Sequence, residues 1–137
     1  MPADRDAIVL ATAGVAAAEA KQATDIVILD VSDILGLVDL FALATARNPR
    51  QLKAVGEEIE RVAREEQSRR PLRREGTVDG GWVLLDYGDV VFHLFDETQR
   101  TYYSLERLWS DVDRIDPATG AFVHVDVPAS LAADGPG

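Results

Sequence analysis

Residues 81–109 constrain the fold more than any other stretch: GWVLLDYGDVVFHLFDETQRTYYSLERLW. Two short apolar runs flank the turn Asp86-Tyr87-Gly88-Asp89, and such a pattern folds as a β-hairpin. A helix is expected from about Arg100, with Leu105, Leu108, Trp109 and Val112 spaced as one helical face. Both tryptophans, all three tyrosines and two of the four phenylalanines fall in this stretch. So do Asp86, Asp89, His93, Asp96, Glu97, Arg100 and Glu106, most of the polar groups able to do work.

The remaining pattern places further elements around this hairpin. Asp4 or Asp6 caps a first helix running to about Gln22, with Ile8, Ala11, Val15 and Ala18 on its apolar face. Residues 24–31 read as a nearly all-apolar strand, expected to be buried on both faces. Residues 32–38 are a connector and 39–45 a second strand. Asn48-Pro49-Arg50-Gln51 is a helix start: an N-cap asparagine, proline at the first helical position, and glutamine where a capping box needs it. Leu52, Val55, Ile59 and Val62 mark that helix to about Ser68, and Arg69-Arg70-Pro71 ends it. Residues 76–81 are a turn-rich lead into the hairpin.

Beyond Arg114 the character changes. Asp116-Pro117-Ala118-Thr119-Gly120 is a turn, residues 121–127 suit a short edge strand, and Pro128 opens an Ala/Gly/Pro-rich tail expected to be disordered. The expected organisation is one domain over 5–115 and a largely disordered extension over 116–137. The order helix, strand, strand, helix, strand, strand, helix predicts an α/β or α+β fold: one mixed sheet with flanking helices. The helix between the second and third strands is the natural crossover.

With 137 residues, 47% of them apolar, the chain has enough material for one real core. It has no apolar run long enough to cross a membrane, and its acidic N-terminus does not resemble a signal or transit peptide. The lack of cysteine excludes disulfides, thiolate metal sites and a cysteine nucleophile, and fits a cytoplasmic location. A net charge of −10 repels bare nucleic-acid phosphate and attracts a basic partner, though it equally serves solubility.

The evidence for catalysis is thin. A nucleotidyltransferase-type site needs two carboxylates two apart on one strand face and a small-residue turn at a helix start to receive phosphate. No D-x-D occurs in an expected strand, and the turn Ala46-Arg47-Asn48-Pro49 lacks glycine. The enzyme alternative is a metal-dependent nucleotidyl- or phosphotransferase using Asp30, Asp39 and Asp86. His93 lies mid-strand with no nucleophile near it in sequence, which suits a structural or interface role. There is no Walker A and no G-x-G-x-x-G motif, so no nucleotide cofactor is expected. The cluster Arg61, Arg64, Arg69, Arg70, Arg73 and Arg74, interrupted by glutamates, is either an RNA contact or a solvated helix end. Trp82, Tyr87 and Tyr102 or Tyr103 form either an exposed binding patch or part of the core.

W-x-L-L-D-Y-G-D-V-V-x-H-x-F followed by R-x-Y-Y-x-L-E-x-L-W resembles the ribosomal silencing factors of the RsfS/Iojap family, over roughly residues 8–111. The upstream D-I-V-I-L-D-V strand, the aspartate-led second strand and the helix that follows keep the family's order. The resemblance implies a nucleotidyltransferase-like fold without the catalytic motif, no enzyme activity and no metal or cofactor. It implies binding to the large ribosomal subunit through universal large-subunit ribosomal protein fourteen, a steric block to small-subunit joining, and repression of translation when nutrients are scarce. A homodimer is expected in isolation, with no membrane and no sequence-specific nucleic acid among the partners. The partner-binding role is carried onto Trp82, Asp86, Tyr87, His93, Arg100 and Tyr103, whereas Glu106 and Trp109 match the motif in positions suited to structure. Leu40 stands where the family usually has an aromatic, and Ala46-Arg47-Asn48 where it usually has a Gly-x-Ser turn.

Overall fold

The structure is a computed structural model that describes residues 3–103 and 110–124, with the side chains of Tyr102 and Tyr103 outside that description. Its elements are α1 (Arg5–Ala20), β1 (Thr24–Asp30), α2 (Ser32–Leu35), β2 (Leu40–Ala46), α3 (Pro49–Gln67), β3 (Arg73–Thr77), β4 (Trp82–Asp86), β5 (Val90–Asp96), α4 (Glu97–Tyr103), β6 (Arg114–Ile115) and β7 (Phe122–Val123). The seven strands form one mixed sheet in the order β3-β4-β5-β2-β1-β6-β7. The expected mixed α/β fold is the observed one.

The two best-marked helices begin for local reasons. Asp4 accepts a hydrogen bond from the Arg5 amide at 2.9 Å at the start of α1. Asn48 accepts one from the Gln51 amide at 2.8 Å, and Gln51 Oε1 accepts from the Arg47 amide at 2.6 Å. Donors that the helix cannot satisfy internally are thus met by side chains. Gln51 Nε2 also donates to the Lys21 carbonyl, tying the start of α3 to the end of α1.

β2 and β5 pair in parallel at the centre, and β3, β4 and β5 form an antiparallel meander on one side of them. The path from β2 therefore runs through α3 to the sheet edge at β3 and returns by two hairpins to β5. Alternation along each strand sorts the side chains onto two faces. On the first, Ala42, Ala44, Phe92, Leu94 and Leu85 meet Leu10, Val15, Leu52, Val55 and Ile59 of α1 and α3 in the main core. On the second, Leu29, Val31, Leu43, Phe95 and Val112 make a smaller cluster, with Val27, Val38, Phe41 and Trp82 partly buried against it. Each fully buried Leu, Ile or Phe contributes roughly 1.5–3 kcal/mol of transfer free energy.

Several boundaries differ from expectation. β1 is not buried along its length: Thr24 and Asp25 are exposed, Asp25 has φ +52°, and a register shift separates Thr24 from Val27. The connector after β1 contains the one-turn helix α2. β3 comes from Arg73-Arg74-Glu75-Gly76-Thr77, which lacks apolar alternation; its residues are all exposed, and its strand state comes from pairing with β4. α4 starts at Glu97 rather than near Arg100, because Asp96 Oδ1 accepts from the Gln99 amide at 2.7 Å and caps the helix early. The expected continuation of this helix through Leu105, Leu108 and Trp109 lies outside the described residues. β6, which sequence did not suggest, pairs with β1, and β7 pairs with β6 within the stretch expected as an edge strand. The sheet thus runs past residue 115, the expected domain boundary, into the extension; the remainder of the tail lies outside the described residues.

Candidate functional site: the second face of the sheet

Strand register builds a grid on the second face. One row runs Arg73, Asp86, Val91, Phe41, Leu29. The next runs Glu75, Leu84, His93, Leu43, Val27, and the third Thr77, Trp82, Phe95, Thr45. Burial falls across the grid: Leu29, Leu43 and Phe95 are fully buried, Trp82, Leu84 and Asp86 are half-buried, and Arg73, Glu75 and Thr77 are exposed. The open part of the face is therefore the β3–β4 side.

Aromatic contacts hold its centre. The Trp82 indole lies tilted on Phe95 at 5.0 Å and 6.0 Å from His93. His93 meets Phe41 edge-on at 4.7 Å and stacks parallel to Phe95 at 6.2 Å. The imidazole is 6% exposed, and neither ring nitrogen has a hydrogen-bond partner among the described residues. Burial pushes its pKa down to about 4, so it is neutral at pH 7 and does not serve as a cation. Asp86 is held at both oxygens: Oδ1 accepts from the Gly88 amide at 2.8 Å and Oδ2 from Arg73 at 3.0 Å.

Two other expected site residues, Tyr87 and Arg100, are buried and form no part of the open area of this face. Tyr87 is 2% exposed and belongs to the main core on the first face, edge-on to Phe92 at 5.7 Å. The expectation of an exposed turn aromatic is corrected. A clamp from the end of α3 covers the turn, in which Arg69 forks onto Asp89 at 2.7 and 3.0 Å, donates to the Tyr87 carbonyl and lies 5.8 Å from its ring. Burial raises the Tyr87 hydroxyl pKa to about 12. Arg100 is also buried, with Nη1 donating to Thr45 Oγ1 at 2.9 Å, so α4 sends it onto the sheet rather than into solvent. Tyr103 closes the described part of α4; its side chain, like Glu106 and Trp109, lies outside the described residues.

The carboxylates of the enzyme alternative have structural partners. Asp30 accepts from the amides of Ala3 and Ser32 and from the Ser32 hydroxyl, and Asp39 accepts from the Asp4 amide, so both anchor the chain entering α1 or α2. Among the described residues no group of three or more His, Asp or Glu side chains is placed to hold a metal ion. Much of the arginine cluster is neutralised internally: Arg61 by Glu58 and Glu65, Arg69 by Asp89, Arg73 by Asp86 and Arg74 by Glu60. No helix among the described residues is long and apolar enough to cross a membrane.

These features define a single-sheet α/β domain with an aromatic, partly open sheet face. Comparison with known proteins makes the identification specific. The family model "Ribosomal silencing factor during starvation" matches residues 4–133. Ribosomal silencing factor RsfS of Bacillus subtilis is 38% identical over 101 residues, covering 74% of this chain and 85% of that protein. The RsfS of Halalkalibacterium halodurans is 36% identical, covering 73% and 85%. The chloroplastic Iojap protein of Arabidopsis thaliana is 33% identical, covering 69% of this chain and 39% of its own length. A crystal structure from Chromobacterium violaceum superposes with a TM-score of 0.70 at 32% identity, covering 74% of this chain and 84% of that one. One from Bacillus halodurans superposes with a TM-score of 0.64 at 36% identity, covering 77% and 95%. The chain belongs to the RsfS family of ribosomal silencing factors.

Proposed function

We propose that this protein binds the large ribosomal subunit in the cytoplasm through universal large-subunit ribosomal protein fourteen, blocks small-subunit joining by occupying the interface, and so represses translation under nutrient limitation. The observation that carries the reading is the half-buried strip Trp82, Leu84 and Asp86, which leaves a tryptophan at the edge of an otherwise closed apolar cluster on an acidic molecule. Tryptophan anchors are favoured where an interface core must be desolvated, and acidity speeds encounter with a basic ribosomal protein. Family membership supplies the ribosomal context.

Within this reading the roles divide. Trp82 and Asp86 reach the partner. His93 and Arg100 hold the sheet and α4 beneath them, and Tyr87 holds the hairpin from behind. In isolation the same strip pairs two copies about a two-fold axis, and the ribosomal partner competes for it. Light scattering tests the dimer, which is expected at micromolar concentrations and lost when the purified ribosomal protein is added. A monomer throughout would refute the dimer. Failure of the ribosomal protein to bind in the same mixture would refute the partner assignment.

A further inference from the structure

The open side of the second face carries a groove of about 390 Å³ lined by Glu75, Gly76, Thr77, Gly80, Trp82 and Leu84. It combines an aromatic wall, an aliphatic floor and one carboxylate. The two arginines flanking that carboxylate are drawn elsewhere: Arg73 to Asp86 at 3.0 Å, and Arg74, on the opposite face, to Glu60. Glu75 itself forms no hydrogen bond or ion pair among the described residues. The groove's shape is set by the backbone, because Gly76 has φ +78° and a Cβ there would fall 2.0 Å from the Trp82 carbonyl oxygen.

We propose that this groove is the receptor for one arginine side chain on the basic protein surface that the domain covers. The proposal rests on the ribosomal reading and specifies the chemistry at its centre. A guanidinium is planar and weakly hydrated, so it lies against an indole while its donors fork onto a carboxylate. Glu75 stands in the grid row beside Trp82's, on the same face, so stem, plane and charge of one side chain meet Leu84, Trp82 and Glu75 together. A lysine ammonium matches the charge but neither the plane nor the fork. Phosphate is repelled by Glu75 and by a net charge of −10.

The test uses the full chain labelled with nitrogen-15, with acetyl-Gly-Arg-Gly-amide and its lysine counterpart as probes. The arginine peptide should shift the Trp82 indole N–H and the Gly76 and Gly80 amides, and bind several-fold more tightly than the lysine peptide. Glu75→Gln should weaken it about fivefold, and Glu75→Lys should abolish the shifts; Glu75 is exposed, so both variants should fold. Equal shifts by both peptides, or shifts that survive Glu75→Lys, would overturn the proposal. In parallel, Glu75→Lys should lose at least tenfold in affinity for purified large subunits. Undiminished subunit binding by this variant, or a dimer that dissociates while subunit binding is unchanged, would overturn it too. If the unaltered protein ignores large subunits, the ribosomal reading fails separately, and the peptide arm still reports on the groove.

Discussion

Tyr87 and His93 show how far a single residue's surroundings decide its role. Tyr87 belongs to the hairpin motif, yet its ring is in the main core and its hydroxyl has no hydrogen-bond partner among the described residues. Tyr87→Ala should therefore cost about 3–5 kcal/mol of folding stability, as for a buried aromatic. Tyr87→Phe should be neutral or stabilising by up to about 1 kcal/mol, because it removes a buried hydroxyl that bonds none of the described residues. Urea denaturation of the two variants checks both, and a small loss for the alanine variant would return Tyr87 to the surface. His93 makes a prediction about pH. Its folded pKa of about 4 lies below the unfolded value near 6.5, so the unfolded chain binds the extra proton first. Its contribution is fully present above about pH 6.5 and falls away as pH drops towards 4, by on the order of 3 kcal/mol across that window. His93→Phe keeps the aromatic packing and should flatten that part of the stability profile relative to the unaltered protein. Parallel profiles for the two proteins would contradict the burial assigned to His93.

At the scale of elements, the legible parts were those with local causes. The Asn48-Pro49-Gln51 start of α3, the Asp4 cap and the β4–β5 hairpin were all written in short motifs and lie where those motifs put them. Asp96-Glu97-Thr98-Gln99 is such a motif too; it shows that α4 begins earlier than its apolar spacing suggests. β3 and β6 had no local signal, because a charged five-residue edge and a two-residue strand are strands only through their neighbours. For the same reason the open face was only half readable. Trp82, Leu84 and Asp86 alternate visibly, but Glu75 and Thr77 join them solely through β3 pairing. The burial of Arg100 and Tyr87 depends on which face each element covers, and that is settled by tertiary packing. Helix α1 comes close to the sheet at Gly14, where a Cβ would lie 2.3 Å from the Phe92 ring. Gly14→Ala raises the helix propensity of α1 by about 1 kcal/mol but overpacks the α1–sheet contact at a typical cost of 1–3 kcal/mol. A net loss of stability by thermal denaturation is expected, and a gain would mean that α1 packs less closely than described.

For the molecule as a whole, the sheet sets the extent of the folded unit. Since β6 bonds to β1 and β7 to β6, we propose that the protease-resistant unit extends past residue 115 to include β7. A chain cut after residue 115 should melt lower than one cut after 124, and equal melting temperatures would restore the shorter boundary. The acidic composition, the half-open tryptophan strip and membership of the ribosomal silencing factor family are the observations on which the proposed surface-occupying role rests. The most direct test is sucrose-gradient sedimentation of the purified protein with ribosomes at equal subunit concentrations, in associated and dissociated form. The protein should travel with free large subunits, be absent from assembled ribosomes, and lower the yield of assembled ribosomes when it is added before the subunits are mixed. Equal recovery in the assembled peak, with joining unaffected, would contradict steric silencing.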